Sequence, residues 1–423
     1  MDNSRSLILS KPGRVVLACD VSKADIHIYA LLGDRRWRSV LVNSSPGLEE
    51  GLRAFRSLVE AELGPRVIVV VMESTGSFSD NLVRVAKSLG LETAWVKAEG
   101  VSRMRVAVHG DQGRTDLRDP EVIHIMASHI ARQEVRDLPL VHRRLREWHR
   151  VYEASEDRIV ELKGAAHGTL RRLFPDLDFG VDFLFGPSGQ AIANTYGFNP
   201  HRILADGAAT FRRRVKSAVP RIQNRSLERL LATAALSAQH GGDEVADILE
   251  FRVRGIFEDL AREEERLREV ASRMEQLYDE ARQEDGCLPE AQPLVITKLQ
   301  LARLVAETGP LSDFGSWRSL LRYGGYNLVE KQSGQYRGKT RIAKKGRRLL
   351  RKVLNQAALP LVRKDRLYGP YYHRKRSEGM PGAKAMTVVG RKVLKMLWGW
   401  YRSASAFNPS RVFTPASVLP KAA

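Results

Sequence analysis

Apolar residues fall in short, near-continuous runs over the first hundred positions and at helical spacing after that. Arg14–Val21 is an apolar run that reads as a buried strand and carries Asp20 near its end. Asp25–Leu32 alternates in part, and 37–42 follows the turn signal Gly33-Asp34. Three strands joined by such short links are antiparallel neighbours. Pro46 then opens a stretch in which Leu48, Leu52, Phe55, Leu58 and Val59 share one helix face, up to Gly64-Pro65. The β-branched run 67–72 suits a central strand covered on both faces, and Glu73 sits just past it. A helix through Leu82, Val85, Ala86 and Leu89 stops at Gly90, and 91–96 is a fifth strand.

Three antiparallel strands followed by alternating helix and strand is the element order of an α/β ribonuclease-H-like (RuvC-like) domain, an order that other α/β layouts also share. From 97 to 119 the chain is basic and glycine-containing and reads as a mobile loop, followed by a helix over 120–133. Beyond Pro139 the pattern turns to long helices. Leu249, Val253, Ile256, Leu260, Glu263, Leu267, Val270, Met274 and Leu277 form a heptad seam, which predicts a coiled coil and a homo-oligomer, dimer or tetramer, joined through it. The segment 174–199 mixes Phe and Gly and reads as irregular. Helical pieces around 301–305 and 317–321 lead to Tyr323-Gly324-Gly325-Tyr326 and a mainly α last third. The expected domains are 14–138, a helical and coiled-coil segment over 139–285, and a C-terminal domain over 286–415.

Charge narrows the partners. The chain has 423 residues, with 69 Lys and Arg against 49 Asp and Glu, a net charge of +20. Such an excess favours polyanions, nucleic acid first and an anionic membrane surface second. No apolar run approaches the roughly 18 residues of a membrane span, so a cytoplasmic, nucleoid-associated protein with no membrane partner is expected. Cys19 and Cys287 lack zinc-site spacing and read as reduced thiols. From Lys331 to Lys352 ten Lys and Arg occur with no acidic residue among them. That stretch, with Arg337, Lys339, Arg341, Lys344, Lys345, Arg347 and Arg348, is the candidate nucleic-acid contact. Leu349, Leu350, Val353 and Leu354 at helical spacing argue that it is folded. Tyr368, Tyr371, Tyr372, Trp398, Trp400 and Tyr401 lie among further cations, and the Trp398–Tyr401 set reads as core.

A carboxylate at the end of a core strand is costly unless something pairs with it. Asp20 and Glu73 both occupy such positions, and Asp116 and Asp119 stand three apart at a helix entrance. Drawn together, four carboxylates repel, and a hard divalent cation resolves the conflict. Each acid also has a plainer role. Asp119 before Pro120 suits a helix N-cap, Asp20 a strand-end turn, Glu73 the cap of the next helix, and Asp116 an ion pair with Arg114 or Arg118.

Asp20-Val-Ser-Lys, Glu73-Ser-Thr-Gly and Thr115-Asp116-x-x-Asp119, in this order, resemble the RuvC-like domain of the DEDD insertion-sequence transposases, which include the Piv invertases and bridge-RNA-guided recombinases. Gln332-Ser333-Gly334-Gln335-Tyr336-Arg337-Gly338, followed by Lys345-Gly346-Arg347-Arg348, is similar to that family's C-terminal motif. The resemblance implies that Asp20, Glu73, Asp116 and Asp119 bind metal, Mg²⁺ or Mn²⁺, and that Ser333 is the recombination nucleophile. It also implies double-stranded DNA as substrate and a structured guide RNA as partner. Where the family carries a Pro-Gly-Ile-Gly hairpin, this chain has Val295-Ile296-Thr297-Lys298-Leu299, and Pro120 replaces a small residue. The expected function is therefore a transposase working through a serine–phosphodiester intermediate. Its alternatives are a metal-dependent junction nuclease without a covalent step and a non-catalytic nucleic-acid-binding protein.

Overall fold

The computed structural model describes residues 13–73, 76–110, 118–130, 133–239, 244–330, 332–333, 336–338 and 340–412; of Ser333 and Arg337 it describes the backbone only. The chain divides into two units, one up to Asp137 and one from Leu138 on.

In the first unit, β1 (Arg14–Val21), β2 (Asp25–Leu32), β3 (Arg35–Val42), β4 (Val67–Glu73), β5 (Glu92–Val96) and the two-residue β6 (Gln133–Glu134) form one mixed sheet in the order β3-β2-β1-β4-β5-β6. The first three are antiparallel and β1, β4 and β5 are parallel, as the short links and the intervening helices dictate. Strand parity assigns the two faces. Val15, Leu17 and Cys19 lie with Ile68, Val70 and Met72 under α1 (Ser45–Leu63) and α2 (Asp80–Ser88). Val16 and Ala18 lie with Val69, Val71, Ala94 and Val96 under Val101, Val122 and Ile123. Those last three belong to α3 (Ala98–His109) and α4 (Asp119–Ile125).

The helix α3 corrects the expectation of a loop over 97–119. Of its arginines, Arg103 is a surface residue paired to Glu99 one turn back and Arg105 is buried, while Val101 is fully buried on the sheet; one apolar anchor was too weak a periodic signal. The expected helix over 120–133 is likewise shorter. It passes into a π-helical turn at Met126–Ile130, and Gln133 and Glu134 pair with β5 instead.

In the second unit α5 (Leu140–Leu173) and α11 (Ala246–Glu284) are long partners. Val141, Leu145 and Tyr152 share a core with Val270, Met274 and Leu277. Ile159, Leu162 and Leu170 share another with Leu249, Val253 and Ile256. The start of one helix thus meets the end of the other, an antiparallel pair. The heptad seam is therefore real, but α5 of the same chain fills it, and it no longer argues for joining subunits.

Between them run α6 (Val181–Leu184), α7 (Pro187–Tyr196), α8 (Pro200–Ala205), α9 (Ala208–Ala218) and α10 (Asn224–Gln239). The segment read as irregular is thus helical from Val181 to Leu184 and from Pro187 to Tyr196. Phe174, Ile192, Tyr196 and Phe198 are buried in its core, aromatic anchors whose spacing no single helix period reveals. α12 (Lys298–Thr308), α13 (Trp317–Tyr323), α14 (Arg348–Ala358), α15 (Gly369–Ser377) and α16 (Gly382–Ser403) complete the unit. Their core is continuous with that of Val141, Leu145 and Met274, so the expected segments 139–285 and 286–415 share one interior. At the point where the family's glycine hairpin is missing, Thr297 and Gln300 form a reciprocal capping box that starts α12.

Candidate active site

β1 and β4 run parallel and in register up to Cys19↔Met72. The next step sets Asp20 beside Glu73 at the carboxyl ends of neighbouring strands, where open α/β sheets place their ligands. Parity puts both side chains on the face that α3 and α4 cover, and both are half-buried. Across β1, Asp20 stands opposite His27 of β2. Directly opposed residues share a face, so His27 joins the acidic edge. The sequence reading missed it, although the register of an antiparallel link after Val21 would have found it.

Asp119 opens α4, over the same face. It is not the N-cap, a position that Arg118 holds. Its Oδ1 accepts a hydrogen bond from Arg105 Nε of α3 at 2.6 Å, and the two side chains are only 16% and 7% exposed. Arg105 is a second site residue that sequence alone did not single out, because the segment bearing it read as a loop. Asp116 lies outside the described residues. Among the described residues no group of three carboxylate, imidazole or thiol side chains is arranged to hold a metal ion. Nearby, Cys19 is fully buried, and burial first, then the Asp20 charge, pushes its thiol well above the usual range. It is inert at neutral pH. His124 of α4, stacked edge-on to Tyr29 at 5.2 Å, is lowered to about 4 by burial and then by His129, so it is neutral there.

Ser333 belongs to a nested hairpin. β7 (Leu328–Val329) pairs with β10 (Arg341–Ile342), and inside them β8 (Gln332–Ser333) pairs with β9 (Tyr336–Arg337) through Ser333↔Tyr336. Ser333 is the last paired position before the connection. Of the candidate nucleic-acid contacts, Arg341, Lys344, Lys345 and Arg348 are exposed, and Lys339 lies outside the described residues.

Arg347 turns inward. Its Nε donates to Glu307 Oε2 at 2.9 Å and its backbone N–H donates to Tyr323 O at 3.1 Å. Lys344 N–H donates to Gly325 O at 3.0 Å, and Arg351 Nη1 donates to Gly324 O at 2.9 Å. The glycines permit this stitching, because a Cβ on Gly346 would stand 2.5 Å from both Gly325 N and Tyr323 O. Gly346→Ala is expected to cost about 1–3 kcal/mol by overpacking and to weaken DNA binding. Gly286→Ala, whose Cβ meets nothing within 4 Å, is expected to melt like wild type in the same thermal and binding measurements.

Glu307 belongs to a buried charge network that no sequence motif announced. His149 of α5, fully buried, has Nδ1 3.1 Å from Glu307 Oε1 and Nε2 3.1 Å from Glu153 Oε1. Arg303 Nη2 donates to Glu153 Oε1 at 2.7 Å, and Lys352 Nζ to Glu153 Oε2 at 2.6 Å. The network ties α5 and α12 to α14 and to the basic stretch before it.

A model described as a DEDD-type IS110 transposase matches residues 17–175, and a model described as "Transposase IS116/IS110/IS902 family" matches residues 295–373. Both are transposase models, one over the acidic edge and one over the serine hairpin. The chain is also 29% identical over 107 residues to the "Insertion element IS900 uncharacterized 42 kDa protein" of Mycobacterium paratuberculosis. That similarity covers 25% of this chain and 27% of the relative, so the chain matches about a quarter of the relative's length. Over these two stretches the chain is thus similar to IS110-type DEDD insertion-sequence transposases. No helix among its described residues is long and apolar enough to cross a membrane.

Proposed function

We propose that the protein is a transposase that cuts and rejoins double-stranded DNA through a covalent phosphoserine intermediate on Ser333, with an acidic, metal-binding site on a ribonuclease-H-like domain. The observation that supports it most is the juxtaposition of Asp20 and Glu73 at the ends of β1 and β4, in a chain similar to this family. Two carboxylates so placed, with Asp119 over the same face, are a hard-oxygen donor set suited to a divalent cation. Bound through Asp20, Glu73, Asp116 and Asp119, Mg²⁺ or Mn²⁺ would stabilise charge on the phosphodiester oxygens.

In the step itself the Ser333 Oγ–P bond forms as the bond from phosphorus to a deoxyribose oxygen breaks, and the hydroxyl proton passes to that leaving oxygen. Reversal with a different strand end rejoins DNA, so no external energy source is needed. A serine hydroxyl is a weak nucleophile. Arg337, Lys339, Arg341, Lys344, Lys345 and Arg348 are the cations proposed to hold the backbone and offset its developing charge. Arg347 serves the same segment from inside through Glu307. A structured guide RNA is the proposed source of target and donor choice, and the net charge of +20 accommodates both nucleic acids. A homo-oligomer is retained in this reading for paired strand exchange.

The test is a denaturing gel on nicked substrate in Mg²⁺. Wild type is expected to give a shifted protein–DNA band and Ser333→Ala none. Persistence of the band in Ser333→Ala removes the serine assignment. Cleavage without any band points to hydrolysis by water, and binding without nicking in Mg²⁺ or Mn²⁺ to a non-catalytic binder.

A further inference from the structure

The basic character of the C-terminal unit does not end with the serine hairpin. From Gly379 to the last residue the chain has no Asp or Glu, while α16 carries Lys384, Arg391, Lys392, Lys395 and Arg402. Lys392 and Lys395 are one turn apart, a spacing that puts them on one helix face, and both line a cleft of about 260 Å³ with Tyr368, Trp400, Phe407 and Asn408.

Aromatic rings position the two ammonium groups. Lys392 Nζ sits 4.5 Å from the centre of the Tyr371 ring on α15, and Lys395 Nζ 5.1 Å from that of Trp317 on α13. Arg374 approaches the other part of this cluster, its guanidinium 5.4 Å from the same Tyr371 ring. Glu378 serves Lys375 and Arg374. Among the described residues no carboxylate forms an ion pair with Lys392 or Lys395. Lys392 is partly buried, and burial first, then Lys395, Arg374 and Lys375, lowers its pKa. Lys395 is exposed and only Lys392 is partly buried, but their like charges repel with no acid among the described residues paired to offset them. An anion entering the cleft relieves that repulsion.

We propose that the face formed by Lys392 and Lys395, flanked by Tyr371 and Trp317, is a second nucleic-acid site, which grips backbone phosphates separately from the serine hairpin. Cations on aromatic shelves beside a cleft of mixed polar and apolar lining match a sugar–phosphate strand better than a small anion, because several phosphates can be met along α15 and α16. The site goes beyond the catalytic reading and does not depend on it.

Binding is measured on the full chain in EDTA, so that cleavage plays no part, with three probes: a 30-base-pair duplex, a DNA single strand and an RNA hairpin. Lys392→Gln/Lys395→Gln is expected to weaken binding on the order of tenfold on at least one probe, and to flatten the salt slope by about 2 for a duplex. Lys392→Arg/Lys395→Arg keeps the charge and is expected to bind like wild type, which controls for folding. Lys216→Gln/Arg252→Gln removes two exposed cations elsewhere in the same unit and is expected to leave the slope within about half a unit. Which probe loses affinity identifies the strand as DNA or RNA. Unchanged affinity and slope on all three probes, or equal losses from the two neutralised pairs, overturns the site.

Discussion

Asp20→Asn is expected to slow strand cleavage about a thousandfold while leaving DNA binding and folding intact. The substitution keeps the shape of the side chain and removes one of two carboxylates that β1 and β4 set side by side. At the spacing of neighbouring strands, and an effective dielectric near 20, two such charges repel by about 3–4 kcal/mol. Asparagine relieves that strain, so the variant is expected to melt at or above the wild-type midpoint. Cleavage depends on the opposite property, a concentration of negative oxygen donors. Losing about 4 kcal/mol of transition-state stabilisation reduces the rate about a thousandfold. The check is the nicking rate at saturating Mg²⁺ beside a thermal melt. Wild-type nicking with a lowered midpoint would mark Asp20 as a structural turn residue and remove the catalytic reading of the edge. Arg105 sharpens the picture, because its hydrogen bond to Asp119 already neutralises one acid of the proposed set. A cation bound there shares or displaces that guanidinium.

Breaking the buried network of the second unit is expected to give the largest loss of stability. Glu153→Leu leaves Arg303 nearly buried without its closest carboxylate, and takes partners from His149 and Lys352 as well. Removing one member of a buried ion pair costs about 3–5 kcal/mol. In a unit of this size that lowers the melting midpoint by about 10 °C.

The pH dependence has two limbs. For Glu153 burial acts to raise the pKa, but hydrogen bonds from His149, Lys352 and Arg303 outweigh it and hold the group at about 2. Glu307 is held at about 2 in the same way, by His149 and Arg347 against burial. Their stabilisation is present above the unfolded value of about 4.5 and is lost as pH falls from there through about 2. For His149 burial acts to lower the pKa, but Glu153 and Glu307 raise it overall. Its contribution is complete below the unfolded value of about 6.5 and is lost as pH climbs through the raised folded value. Thermal midpoints from pH 2 to 9 test both limbs. His149→Gln is expected to remove the alkaline limb and to weaken the acid one, because His149 helps to hold both carboxylates down, and a midpoint shift under 2 °C for Glu153→Leu would show that the network contributes little.

This network explains why the basic stretch was only half legible. A run of ten cations without an acid says that a polyanion is near, but not which side chains face it. Arg347 and Arg348 are identical and adjacent in sequence, yet one is exposed and the other pairs with Glu307, forty positions earlier. No local pattern separates them. The glycines of Tyr323-Gly324-Gly325-Tyr326 were visible as punctuation, while the reason for Gly325, whose Cβ would stand 3.1 Å from both Lys344 C and Lys345 C, lies in a contact between distant segments.

What the sequence determined by itself was the first five strands of the sheet, because a period of two and short links leave few ways to bury Val16, Leu17, Val69 and Val70 at once. It also determined the paired acids at strand ends and the motifs of the family. Tertiary structure decided what completes those features. It supplied Arg105 for Asp119 and His27 opposite Asp20, filled the heptad seam with α5, and turned a supposed loop into α3. The physical reason is common to all four. Periodicity reports how a segment meets a generic apolar surface, whereas an ion pair or a helix partner is a choice among distant residues that only the folded chain brings within reach.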